Sequence, residues 1–117
     1  MALHAGPGCF RDDTALYAGV GKVDLSCDST ESGQTAGCSV TDPGYSFGPK
    51  FNQAGGGVWA VEWSSRGLFV WRWGRSNVPV DVLEEKPDPA SWGLPVAAWP
   101  SATCSALLAF RPMRIIL

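Results

Sequence analysis

Eleven carboxylates and one imidazole are the side chains of this chain best matched to general acid and base work near neutral pH. Paired acid and base work across one bond needs two carboxylates on one face, at i and i+2 or i+4 of a strand. Glu84 and Glu85 are adjacent, so on a strand they point in opposite directions. Asp12 and Asp13 share that problem and lie in a loop-like stretch. Glu62 has no acidic neighbour at either spacing, so a structural role is expected, hydrogen-bonded or paired with an arginine such as Arg72. No residue is therefore assigned a catalytic role.

The four cysteines, Cys9, Cys27, Cys38 and Cys104, are widely and irregularly spaced. With no C-x-x-C pair and His4 as the sole histidine, a structural zinc site has almost nothing to build from, and no metal ligand is assigned. The even count points to disulfides and an oxidising compartment, with three pairings open. Six tryptophans are many for 117 residues. An indole face can stack on the flat C–H face of a sugar as readily as it fills a core. Trp59, Trp63 and Trp92 read as packing, Trp71 and Trp73 as groove candidates, and Trp99 as loop-borne.

Nine basic and eleven acidic residues are scattered singly, giving a net charge of -2. No Lys/Arg cluster offers phosphate backbones a footprint, so nucleic acid is not an expected partner. No apolar run approaches the roughly 18 to 20 residues that span a bilayer, so no membrane partner is expected. The glycine runs lack a strand–GxGxxG–helix or Walker context, which excludes nucleotide binding on that signal. Residues 1–8 have no basic segment followed by an apolar one, so no signal peptide is read there.

Several elements must position these side chains. Glycine (14) and proline (9) are spread throughout, leaving few stretches long enough for a helix. Asp42-Pro43-Gly44 and Gly55-Gly56-Gly57 signal turns, and 19–25 alternates well enough for a strand. Residues 58–63 and 68–73 are β-branched and aromatic runs joined by Ser64-Ser65-Arg66-Gly67, which predicts a β-hairpin with glycine where positive φ is needed. Apolar residues on both faces of both strands suit a sandwich, with one face in the core and the other against a second layer or in a ligand groove. Residues 78–82 read as a short extended piece, 86–93 as a proline-pinned loop and 114–117 as the start of a strand.

Gly55-Gly56-Gly57-Val58-Trp59-Ala60-Val61-Glu62-Trp63-Ser64-Ser65 resembles the Gly-Gly-Gly-Val-Tyr-Ala-x-Glu-Trp-Thr-Ser run of fungal glycoside hydrolase family 16. Val70-Trp71-Arg72-Trp73-Gly74-Arg75 stands where the family has Val-Trp-Phe-Phe-Pro-Arg, and Val78-Pro79-Val80-Asp81-Val82 where it has Ile-Pro-x-Asp-Ile. Residues 87–95 are similar to Pro-Asp-Pro-Ser-Ser-Trp-Gly-x-Pro, and 1–9 to Met-Thr-Leu-His-Thr-Ser-Pro-Gly-Cys. Arg72 and Gly74 depart from the pattern.

The resemblance implies an all-β fold, part of a concanavalin A-like jelly-roll β-sandwich. It implies cofactor-free, retaining endo-hydrolysis of β-1,3(4)-glucan, with β-glucan polysaccharide as partner, outside the cell or in the cell wall. The family carries its acids in a Glu-x-Asp-x-x-Glu run before the Met-x-Leu-His segment, and these residues do not include it. The expectation is thus an incomplete domain over 1–117, lacking that strand and the C-terminal strands, and inactive as it stands. By resemblance His4 lies near the glucan cleft and could hydrogen-bond a sugar hydroxyl; a solitary histidine without a role is the plainer alternative. Trp71 and Trp73 complete the substrate-binding candidates. Two other readings are a non-catalytic β-glucan-binding module and a small secreted, disulfide-stabilised interaction protein.

Overall fold

The hairpin dominates the computed structural model, which describes residues 1–22, 24–30 and 37–110. Strands β4 (Gly57–Ser64) and β5 (Gly67–Gly74) pair antiparallel along their full length, from Gly57 opposite Gly74 to Ser64 opposite Gly67. Only Ser65 and Arg66 lie between them. Gly67 takes φ of 134°, a backbone open to glycine, and a Cβ there would run into the Trp99 carbonyl. β6 (Ala97–Pro100) pairs with β5, giving the sheet order β4-β5-β6.

A second sheet is ordered β1-β3-β2, from β1 (Ala2–Leu3), β2 (Val20–Gly21) and β3 (Cys38–Thr41). Its inner face, with Leu3, Cys38 and Val40, packs against Leu68, Ala97 and Trp99 of the first. Trp99 is thus a core residue of β6, 3% exposed, and not loop-borne. Pairing with Leu68 aims its ring inward, and its indole N–H lies 3.0 Å from the Cys38 sulfur. Gly19 lets the sheets meet where β2 passes β6: its N–H donates to the Val96 carbonyl at 2.9 Å, and a Cβ would collide with that carbonyl and with Val40.

Two disulfides, Cys9–Cys104 and Cys27–Cys38, select one of the three pairings and sit in the core. The strand expected over 19–25 shrinks to Val20–Gly21, because the chain changes partner. Lys22 still donates to Ser39, but Leu25 accepts from Arg11 and Ser26 bridges Phe10. Val23 lies outside the described residues, as do residues 114–117 with their expected strand.

Helical turns fill the connections: α1 (Gly48–Gln53), α2 (Val80–Leu83) and α3 (Ala106–Ala109). α2 corrects the extended reading of 78–82. Pro79 precedes its first turn, where its preset φ (−58°) costs nothing, and its carbonyl accepts from Leu83 at 3.2 Å. Residues 86–93 hold only a short 3-10 turn, Pro89–Ser91, capped by the Asp88 side chain.

Candidate functional site

The hairpin register decides which aromatic residues share a face. Trp59, Val61 and Trp63 stand opposite Arg72, Val70 and Leu68, so they belong to the face that looks toward the core. Val58, Ala60 and Glu62 stand opposite Trp73, Trp71 and Phe69 on the outer face. The proline loop lies over the Trp71 and Trp73 end of that outer face, braced from α2 by Asp81. The Trp71 indole, 5% exposed, donates to the Gly93 carbonyl at 3.1 Å. Trp92 sets its ring edge-on to both Trp71 and Trp73, at 5.1 Å each. Asp81 accepts from the Trp92 indole at 2.6 Å and from the Asp88 N–H at 2.7 Å. Those bonds hold its carboxyl below the usual carboxylate range, the Asp88 N–H foremost.

Trp71 and Trp73 are therefore joined to Trp92 in one aromatic cluster, with Trp73 half-buried. The expected packing of Trp59 and Trp63 is incomplete: they are 41% and 53% exposed, and Trp63 meets Phe110 at 5.0 Å.

His4 lies just past β1 and is exposed. It lines a cleft of about 200 Å³ with Ala5, Gly6, Ser29, Thr30, Ala109 and Phe110. An imidazole, two hydroxyls and an aromatic ring in one shallow recess are a chemistry suited to a sugar. Ser29 and Thr30 are already engaged, with the Ala5 carbonyl and Asp28 respectively. Nothing in their spacing marked them beforehand, since the bond between Ser29 and Ala5 spans 24 residues. The Trp71 and Trp73 rings lie on the outer face of the other sheet, so the structure does not bring them into this cleft.

A second cleft, about 390 Å³, is lined by Met1, Thr41, Asp42, Gly44, Ser46, Phe47 and Trp59. Among its described lining residues Asp42 is the only carboxylate, and Arg72 binds it through two nitrogens, Nη2 at 3.1 Å. Burial raises the Asp42 pKa, but the Arg72 guanidinium and the Gly44 N–H outweigh it and hold the carboxyl below its ordinary value. This corrects the expected pairing of Arg72 with Glu62. In the register Arg72 is on the inner face and Glu62 on the outer, where it accepts two bonds from Arg66 at 2.9 and 2.7 Å. Among the described residues no group of three metal-ligating side chains converges.

Two antiparallel sheets packed face to face define this chain as part of a jelly-roll β-sandwich. A family model described as the XgeA-like, catalytic GH16 domain matches residues 1–117, and the chain belongs to glycoside hydrolase family 16. It is similar to an endo-1,3(4)-beta-glucanase of Arthroderma benhamiae, 38% identical across 98% of this chain and 26% of the relative. The endo-1,3(4)-beta-glucanase xgeA of Emericella nidulans is 34% identical, over 90% of this chain and 17% of the relative. A solved family 16 β-1,3-glucosyltransferase described as elongating superposes with a TM-score of 0.82 at 28% identity, over 96% of this chain and 36% of its own. Laminarinase 16A of Phanerochaete chrysosporium, solved with β-glucans in donor and acceptor sites, gives 0.78 at 33% identity, over 90% and 36%. The chain thus spans about a quarter or less of these two glucanases.

Proposed function

We propose that this chain is part of a retaining endo-β-1,3(4)-glucanase-type domain, supplying one flank of a β-glucan site. On this reading it lacks the strand that bears the catalytic acids and the C-terminal strands. The observation that carries the proposal is the superposition on laminarinase 16A over 90% of this chain, at an identity that exceeds fold likeness alone.

His4 is the residue proposed to meet the glucan, donating or accepting at a sugar hydroxyl from its exposed position past β1. Trp71 is tied to the proline loop through the Gly93 carbonyl, and half-buried Trp73, joined to it through Trp92, is the indole proposed to offer a face to the glucan. Retaining hydrolysis needs two carboxyl groups about 5 to 5.5 Å apart across the scissile bond. Among the described residues the His4 cleft holds none, and the second cleft holds Asp42, already bound to Arg72. By itself the chain is therefore expected to be inactive. The two disulfides support an oxidising setting, outside the cell or in its wall.

Purified chain incubated with laminarin and with lichenan is expected to release no new reducing ends; turnover of either would overturn the inactive reading. Titration with laminarin oligosaccharides is expected to shift tryptophan fluorescence saturably, and less so in His4→Ala. A flat titration would remove the glucan flank altogether.

A further inference from the structure

We infer that Trp99 makes Cys27–Cys38 a disulfide that light opens from inside the core, and that its opening loosens the wall of the His4 cleft. The second half rests on the proposed function, which makes that cleft part of a glucan site.

An indole N–H in a protein interior normally finds oxygen. Trp71 gives its N–H to the Gly93 carbonyl, and Trp92 to the Asp81 carboxylate. Trp99 instead donates to the Cys38 sulfur at 3.0 Å, a weak acceptor. The ring is 3% exposed and both sulfurs of the pair belong to residues 0% exposed, so water does not compete for the contact. Pairing of Trp99 with Leu68 in the register of β5 and β6 holds the ring where it is.

An excited indole readily gives up one electron, and a disulfide accepts one into the antibonding orbital of its S–S bond. Here the hydrogen bond supplies a path for the proton as well. One electron and the Nε1 proton pass from Trp99 to the disulfide; the N–H and S–S bonds break, and an S–H bond forms on Cys38. Trp99 is oxidised by one electron to a neutral indolyl radical, the disulfide is reduced by one, and the remaining unpaired electron sits on the Cys27 sulfur. Light is the only input. Reduction from outside needs a thiolate in line with a sulfur, and burial denies that approach in the folded chain. Cys9–Cys104 is as deeply buried, with residues 0% and 1% exposed, but among the described residues no indole donates to it.

Both ends of Cys27–Cys38 support the cleft. After Cys27, Ser29 donates to the Ala5 carbonyl and the Asp28 carboxylate holds Thr30, which places Ser29 and Thr30 in the cleft wall. Before Cys38, the Gly37 backbone lies under His4, so close that a Cβ would stand 3.0 Å from the imidazole Nδ1. The disulfide closes the loop between these two supports, a separation of 11 residues. Opening it returns chain entropy to that loop, and the wall loosens.

The test irradiates the purified chain at the red edge of indole absorption, unfolds it with iodoacetamide present and maps the alkylated cysteines by peptide mass. Alkylated Cys38 is expected, with Cys9 and Cys104 still joined. Trp99→Phe should lower that yield at least about tenfold, because phenylalanine has no N–H to give. Trp59→Phe, which removes an exposed indole, should leave it unchanged. In calorimetric titration with laminarin oligosaccharides, the irradiated chain should lose the saturable heat that the dark chain shows. No alkylation, alkylation spread evenly over both disulfides, or an undiminished yield in a folded Trp99→Phe overturns the inference. So does an opened chain that binds oligosaccharide as the dark chain does. Should Trp99→Phe not fold, the cysteine map of the unsubstituted chain decides, since selectivity for Cys38 needs no variant. A dark chain without binding heat, alkylated at Cys38 after irradiation, would fail the glucan-site reading and leave the light-opened bond standing.

Discussion

At the scale of single residues, the informative group is the Asp42–Arg72 pair. It joins β5 of one sheet to the turn after β3 of the other, with the two side chains 3% and 19% exposed. A buried pair is weak grounds for extra stability, but removing one partner strands the other. Asp42→Asn is expected to cost up to about 3 kcal/mol in urea unfolding at pH 7. The folded pKa of Asp42 is depressed, so the pair's contribution is complete above the ordinary aspartate value of about 3.9. It is lost as pH falls through the folded value. The acid limb of the stability profile should therefore flatten in Asp42→Asn, and an unchanged limb would show that the pair does not set it. The family pattern has phenylalanine where Arg72 stands, and the pairing expected from the sequence was with Glu62. A polar tie between sheets could not be foreseen, because its two members are 30 residues apart.

At the scale of elements, the hairpin was legible from its residues. Two runs with high β-propensity flank a short turn, and each feature is local. Gly67 bears the tightest demand. Gly67→Ala is expected to cost about 1–3 kcal/mol from backbone strain alone, read as a lower denaturation midpoint. A neutral result would mean that the turn relaxes without the left-handed residue. The segment 78–82 shows where local reading stops. A proline next to valines suits an edge strand and equally the start of a helix. Asp81 is what favours the helical turn, through its bonds to Trp92 and the Asp88 backbone, seven or more residues further on.

For the whole molecule, the disulfides do what a small core by itself cannot. Cys9–Cys104 spans 95 residues and Cys27–Cys38 spans 11. Loop-closure entropy gives about 4.7 kcal/mol for the first and about 2.8 for the second, so replacing Cys9 and Cys104 by serine should destabilise more than replacing Cys27 and Cys38. Calorimetry on the two double variants checks the order; the reverse order would place the stabilisation in the folded-state core and not in the chain's reduced freedom. The exposed row on β4 belongs to this scale too, since only the packing of both sheets reveals which residues lack a covering layer.

Composition and local motifs by themselves determined an all-β chain with paired cysteines, a central aromatic hairpin and the marks of a glucanase family. Those properties are written in neighbouring residues, whose propensities and spacings act over a few positions. Only the tertiary structure decided which cysteines join, that Trp71 is sealed beneath Trp92 while Trp59 and Trp63 stand open, and that Arg72 answers to Asp42 and not Glu62. Each of these depends on strand register and on how two sheets meet. A shift of one residue in register turns every side chain to the other face, and no local pattern specifies it across so many residues.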